Sequence, residues 1–185
     1  MKTIFLDRDG VINEDKLYVG HWSEFEFIET SVIALKILCN AGFQLFIITN
    51  QSGIARGFYT EMDYYKLTDK MRSYLLKQKI RFRYIYHCPH LEDGAVPEFS
   101  KICDCRKPKP GMILQAVKDF SVDLNKSILI GDNETDILTA KNAGIKVSYL
   151  ISKKKSKNSK VISEASLIFP DLLKCAHHIL SSEDI

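Results

Sequence analysis

Two aspartates spaced two apart, Asp7 and Asp9, close the short apolar run Thr3-Ile4-Phe5-Leu6 and are followed at once by Gly10. Clustered like charge is costly beside an apolar strand. Such a pair therefore reads as a site in which one acid attacks or holds a metal while the other handles a proton. At this spacing both carboxylates leave a strand end on the same side, and Arg8 between them is expected to point away. A second acidic stretch, Gly131-Asp132-Asn133-Glu134-Thr135-Asp136, follows Ser127-Ile128-Leu129-Ile130. Asp132 and Asp136 are four apart and can complete a metal site with Asp7. Carboxylate oxygens suit Mg²⁺, which keeps waters and bridges to phosphate oxygens. Asp136 also has a plainer reading, as an acid favoured in the first turn of a helix.

Two stretches could receive an anion. Thr49-Asn50-Gln51-Ser52-Gly53 with Arg56 combines hydroxyl, amide, backbone and guanidinium donors behind another apolar run, Phe43 to Ile48. Arg106-Lys107-Pro108-Lys109-Pro110-Gly111 sets three cations within four residues, in a stretch stiffened by two prolines. Immediately before it, Cys88-x-His90 and Cys103-x-Cys105 form two close pairs separated by Leu91 to Ile102. Three thiolates and an imidazole satisfy a closed tetrahedral Zn²⁺ shell of the structural kind. The intervening Glu92 to Phe99 is too polar to fold by burial, so metal binding would replace a missing core. His87 is a competing ligand, with strand-end packing as its plainer role.

Positioning these groups requires strands that end where the polar residues begin. Apolar runs at 3–6, 43–48, 82–86, 127–130, 145–151 and 167–169 alternate with helical patterns at about 31–41, 60–78 and 110–120, after Asp132, and from about Pro170. Thr30 or Ser31 is expected to cap the first helix and Gly42 to end it. Thr60 begins a capping box, and Ile113, Leu114 and Val117 form the buried stripe of the third helix. Alternating strands and helices imply an α/β fold, a Rossmann-like three-layer α/β/α sandwich with a mostly parallel sheet. Its site-bearing strand ends converge on one edge. Residues 11–28 lack helical periodicity and are read as a loop over that edge, from which Asp15 and Tyr18 contact substrate.

The chain of 185 residues is 45% hydrophobic and carries a net charge of +3, which fits one domain and gives no general nucleic-acid footprint. It shows no signal-peptide pattern and no apolar run of membrane-spanning length. Five cysteines, an odd number, suit thiols or metal ligands in a reducing compartment, so a cytoplasmic protein is expected. The lysine run from Lys153 to Lys160 is read as a solvated loop.

The ordered motifs Asp7-x-Asp9-Gly10, Thr49, Lys107, and Gly131-Asp132 with Asp136 resemble those of the haloacid-dehalogenase-like (HAD) phosphatases over nearly the whole chain. Within that superfamily, Thr49 to Gly57 and Cys88-Pro89-His90 through Cys103-Asp104-Cys105-Arg106-Lys107-Pro108 resemble the D-glycero-D-manno-heptose-1,7-bisphosphate 7-phosphatases. Histidinol-phosphate phosphatases are close relatives, generally with a shorter interval after the histidine. The resemblance implies a minimal cap bearing the zinc loop 88–105, with Asp7 as nucleophile and Asp9 as proton shuttle. It further implies that Thr49 and Lys107 hold the phosphoryl group, and that Mg²⁺ sits on Asp7, the Asp9 carbonyl and Asp132. Asp15, Tyr18, Asn50, Gln51, Ser52, Arg56, Arg106 and Lys107 would contact a small sugar bisphosphate whose product feeds lipopolysaccharide, capsule or another glycan. Arg106 would read the distal phosphate. A monomer without nucleic-acid or membrane partners is expected. Asn133 stands where heptose enzymes commonly carry lysine. A polynucleotide 3′-phosphatase and a non-catalytic zinc-stabilised binding module remain as readings from other classes.

Overall fold

The computed structural model describes residues 2–152 and 163–182, so the expected loop of lysines at 153–160 lies outside the described residues. All six expected strands form: β1 (Thr3–Leu6), β2 (Gln44–Asn50), β3 (Phe82–Cys88), β4 (Ser127–Gly131), β5 (Val147–Ile151) and β6 (Leu167–Phe169). Every pairing is parallel, in the order β3-β2-β1-β4-β5-β6. β1 is buried at all four positions because it lies between two neighbours with helices over both faces, which is why its sequence is continuously apolar.

Side chains alternate between the faces and divide the core. Ile4, Leu6, Leu45, Ile47, Ile128 and Ile130 pack with α1 (Glu29–Asn40), α2 (Glu61–Lys77) and α5 (Leu172–Ser181). Phe5, Phe46, Ile48 and Leu129 pack with α3 (Gly111–Phe120) and α4 (Glu134–Ala143). The expected three-layer sandwich is the result. Leu6 pairs with both Ile47 and Ile130, so the polar residues that follow the three strands emerge side by side.

Local signals held at most helix ends. Thr60 caps α2 through a reciprocal capping box with Asp63, and Gly42 adopts φ +84° just past α1. The start of α1 differs from expectation. Its N-cap is Ile28 without a side-chain bond, and the Ser31 hydroxyl instead donates to the Val11 carbonyl at 2.6 Å. That contact ties α1 to the loop after β1, a long-range bond that outcompetes the local cap. In α3 the buried residues are Met112, Ile113 and Ala116, whereas Leu114 is exposed, so the stripe is rotated from the expected one. α5 starts at Leu172, capped by Asp171, slightly later than Pro170. The loop at 11–28 returns through a bridge between Asn13 and Phe27, and Trp22, Phe25 and Phe27 pack on one another against the core. Among the described residues, no helix is long and apolar enough to cross a membrane.

Candidate active site

Asp7 directly follows β1, and its backbone N–H still bonds Ile130 O at 3.0 Å, so the sheet holds its main chain in place. The side chains of Asp7, Asp132 and Asp136 bring oxygens within 4.8 Å of one another. Gly10 is required beside them: its φ is +77°, and a Cβ there would collide with the Asp132 carboxylate. A Cβ at Gly131 would likewise collide with the Asp136 side chain.

Into this acid cluster Lys107 projects from the basic loop, 4% exposed, with Nζ 3.0 Å from Asp7 Oδ1 and 2.5 Å from Asp136 Oδ1. Burial opposes its charge, but the two carboxylates outweigh burial and raise its pKa, so it stays protonated. Asp136, read from sequence both as a possible partner of Asp7 and Asp132 at a metal and as a helix-start acid, and absent from the ligand set the resemblance implies, is fully buried and is the anchor of this lysine. It also accepts the Asn133 N–H at 3.1 Å in a capping box at the start of α4. Asn133 thus caps α4, with its side chain accepting from Thr135 N. The spacing of one helical turn between Asp132 and Asp136 was the available signal.

One cation does not neutralise three crowded acids, of which Asp136 is buried and Asp7 and Asp132 are half-buried. Burial, with repulsion from Asp136, Asp9 and Asp132 and partial relief from Lys107, pushes Asp7 up to about 8. Burial, then Asp136, pushes Asp132 up to about 7. Without a cation the Asp7 carboxyl therefore does not ionise as an ordinary exposed aspartate would. Crowded carboxylates of this kind fit a divalent cation, which would restore their charge. An acid with a raised folded pKa keeps a proton that the unfolded chain has lost, so the metal-free protein loses stability as pH rises from about 4 to about 8. Bound Mg²⁺ opposes that loss. The gain in melting temperature at saturating Mg²⁺ is expected to be larger near pH 8 than near pH 6; equal gains in thermal denaturation would remove this account.

Asp9 is turned to a different set of partners. Arg8 Nε and Nη2 donate to its two oxygens at 3.2 and 2.9 Å, Asn13 Nδ2 donates at 2.9 Å, and Gln51 Nε2 at 3.0 Å. Arg8, expected to point away, instead folds back and is only 1% exposed. A guanidinium is tolerated there because Asp9 compensates it. The Asp9 carboxylate is outside the acid cluster of Asp7, Asp132 and Asp136.

Thr49 is buried at the end of β2, and its Oγ1 accepts from Gln51 Nε2 at 2.8 Å, so its hydroxyl proton is left free to donate. The amides of Asn50 and Gln51, expected to meet substrate, are engaged within the protein. Asn50 Oδ1 accepts Lys107 N at 3.0 Å while its Nδ2 donates to Lys107 O at 3.2 Å, clamping the basic loop to β2. Gln51, 2% exposed, bridges Asp9, Thr49 and Tyr59. Ser52 is half-buried, with its carbonyl accepting from Arg56 N. Asp15, Tyr18 and Arg56 are exposed on the loops nearby. Asp15 turns back to Leu17 N, and the Arg56 guanidinium lies 5.6 Å above the Tyr18 ring.

The two cysteine-containing pairs converge as expected. Sulfur–sulfur separations among Cys88, Cys103 and Cys105 are 3.1–3.5 Å, and His90 Nδ1 lies 3.8 Å from Cys88 Sγ and 3.4 Å from Cys105 Sγ. These approach the roughly 3.8 Å edges of a tetrahedron with Zn–S bonds of about 2.3 Å. Hydrogen bonding from Cys88 pulls Cys105 down to about 5, and the same bond pushes Cys88 up, so the sulfurs share protons that a metal ion would displace. His87 stays out of the group, 3.0 Å from Glu61 and against the Tyr64 ring. Arg106 Nη1 donates to His90 O at 3.2 Å, which tethers the guanidinium to this loop; among the described residues this is the one hydrogen bond its guanidinium makes.

The chain matches the HAD-hydrolase-like family over residues 104–175. It is 47% identical over 151 residues to the D-glycero-alpha-D-manno-heptose-1,7-bisphosphate 7-phosphatase of Photorhabdus laumondii, spanning 82% of each chain. With the D-glycero-beta-D-manno-heptose-1,7-bisphosphate 7-phosphatase of Pasteurella multocida it shares 42% identity over 181 residues, 98% of this chain and 92% of the relative. The crystal structure of the D,D-heptose 1,7-bisphosphate phosphatase from B. bronchiseptica, complexed with magnesium and phosphate, matches with a TM-score of 0.83 and 31% identity. That match covers 97% of this chain and 98% of the other.

Proposed function

The chain belongs to the HAD-like D-glycero-D-manno-heptose-1,7-bisphosphate 7-phosphatase family, and from this we propose that it removes the C7 phosphate of D-glycero-D-manno-heptose 1,7-bisphosphate in the making of nucleotide-activated heptose. One observation carries the reading. Asp7, Asp132, Lys107 and the free hydroxyl of Thr49 gather where β1, β2 and β4 end, which is the donor and nucleophile set that phosphoryl transfer requires.

An Asp7 oxygen attacks the terminal phosphorus, and the bond to the sugar oxygen breaks as Asp9 donates a proton to that oxygen. Lys107 and the Thr49 hydroxyl hold the transferring oxygens, with donors aimed before reaction. In the second half, Asp9 takes a proton from water, the water attacks the phospho-aspartate, and phosphate leaves with Asp7 regenerated. Mg²⁺ held by Asp7, the Asp9 carbonyl and Asp132 would supply the charge neutralisation that lets an anionic carboxylate meet an anionic phosphate. Zn²⁺ held by Cys88, His90, Cys103 and Cys105 would give the 88–105 loop the rigidity its polar sequence lacks. Arg106 then presents its remaining N–H groups to the distal phosphate, for which a planar guanidinium is suited.

Phosphate release from the α- and β-anomers of the bisphosphate, and from histidinol phosphate, tests this assignment. The heptose bisphosphates are expected to give kcat/KM at least about a hundredfold above histidinol phosphate, because only they engage the Arg106 subsite. Preference for histidinol phosphate, or for a 3′-phosphorylated oligonucleotide, would overturn it.

A further inference from the structure

Of the three residues that bond the Asp9 carboxylate among the described residues, Arg8 and Asn13 belong to its own loop, and Gln51 alone comes from elsewhere, just past the end of β2. The Gln51 amide has no freedom to turn. The Tyr59 hydroxyl donates to its Oε1 at 2.6 Å, which leaves Nε2 to serve Asp9 at 3.0 Å and Thr49 at 2.8 Å. Burial pushes the Tyr59 phenol up, so it remains a donor. Its ring is gripped on two sides: a Cβ at Gly20 or at Gly53 would collide with it, so the loops at both positions close directly onto the ring. The glycine at 20 follows Val19, whose carbonyl accepts from Arg8 Nη2 at 2.9 Å.

We propose that Gln51, held in one orientation by Tyr59, is a positioning residue that sets the Asp9 carboxylate relative to the Thr49 hydroxyl. The proton donor for the leaving oxygen and the donor that holds the phosphoryl group are thereby kept in one frame. The Gln51 amide spends its side-chain oxygen on Tyr59 and its side-chain nitrogen on Asp9 and Thr49, so its role is exerted through those two residues. This inference rests on the phosphatase reading and assigns Gln51 a task within it.

Leaving-group dependence separates the two effects of losing the amide. A sugar alkoxide must be protonated as it departs, whereas p-nitrophenolate departs as its anion, so misplacing Asp9 penalises the sugar ester selectively. In Gln51→Met, kcat/KM for the heptose bisphosphate is expected to fall about a hundredfold and for p-nitrophenyl phosphate about tenfold or less, the shared part arising through Thr49. Tyr59→Phe keeps the ring that Gly20 and Gly53 enclose and removes only the hydroxyl. It is expected to show the same bias, several-fold in size, and it decides the matter if Gln51→Met does not fold. Equal losses on the two esters in the folded variants, or no loss, would overturn the positioning role while the unaltered enzyme remains an active phosphatase. Absence of Mg²⁺-dependent phosphate release from either ester by the unaltered protein would instead remove the phosphatase reading, and this role with it.

Discussion

Asp7→Asn is expected to lower turnover by roughly four orders of magnitude or more while the metal-free fold becomes more heat-stable. The loss of rate follows because an amide cannot form the phospho-aspartate that divides the reaction into two steps. The gain in stability follows from the surroundings of the carboxylate. Burial and the neighbouring Asp136, Asp9 and Asp132 outweigh Lys107 and hold Asp7 near a pKa of about 8, so the folded chain at neutral pH resists an ionisation that the unfolded chain completes. A neutral side chain of the same shape has no such conflict, and Lys107 keeps Asp136 as its partner. Pairing single-turnover phosphate release with thermal denaturation without Mg²⁺ checks both halves. Activity retained within tenfold would remove the covalent mechanism; a lower melting temperature would remove the account of the acid cluster. The second outcome would also show that the Lys107–Asp7 contact is worth more than the repulsion around it.

Cys103→Ser is expected to release one zinc per chain, and its kinetic signature should be uneven. Residues 89–110 form turns and a single bridge between Leu91 and Ser100, with few apolar anchors, so a metal bound by Cys88, His90, Cys103 and Cys105 would carry most of their order. Lys107 has independent supports in Asp7, Asp136 and the Asn50 clamp. Arg106 has His90 O, which moves with the shell. KM for the bisphosphate should therefore rise about tenfold to a hundredfold, with kcat falling less. A substrate without a distal phosphate should be affected less again. Metal analysis with steady-state kinetics on both substrates makes the comparison. Normal KM in zinc-free protein would dissociate the loop metal from substrate selection.

The parts of the site that could be read along the chain are those written in short-range chemistry. An apolar run that stops at an acid marks a buried strand end whatever surrounds it, and this located Asp7, Thr49 and Asp132. Close Cys-x-His and Cys-x-Cys pairs announce a metal shell because ligand spacing is local, and Thr60 with Asp63 announces a helix start for the same reason. Tertiary structure alone decided how the side chains at those points are employed. Gln51 reaches Asp9 across 42 residues of sequence and Asn50 reaches Lys107 across 57, so amides suited to binding an anion became supports for the acid and the lysine. Arg8 has the composition of an exposed neighbour to two acids, yet burial against Tyr64 and a bond to Val19 O draw it inward to Asp9. Asp136 has the spacing of an ordinary helix-start acid until the fold brings Lys107 beneath it. Even the protonation of Asp7 lay beyond the sequence, because a pKa is set by burial and by charges that only the closed sheet edge brings together.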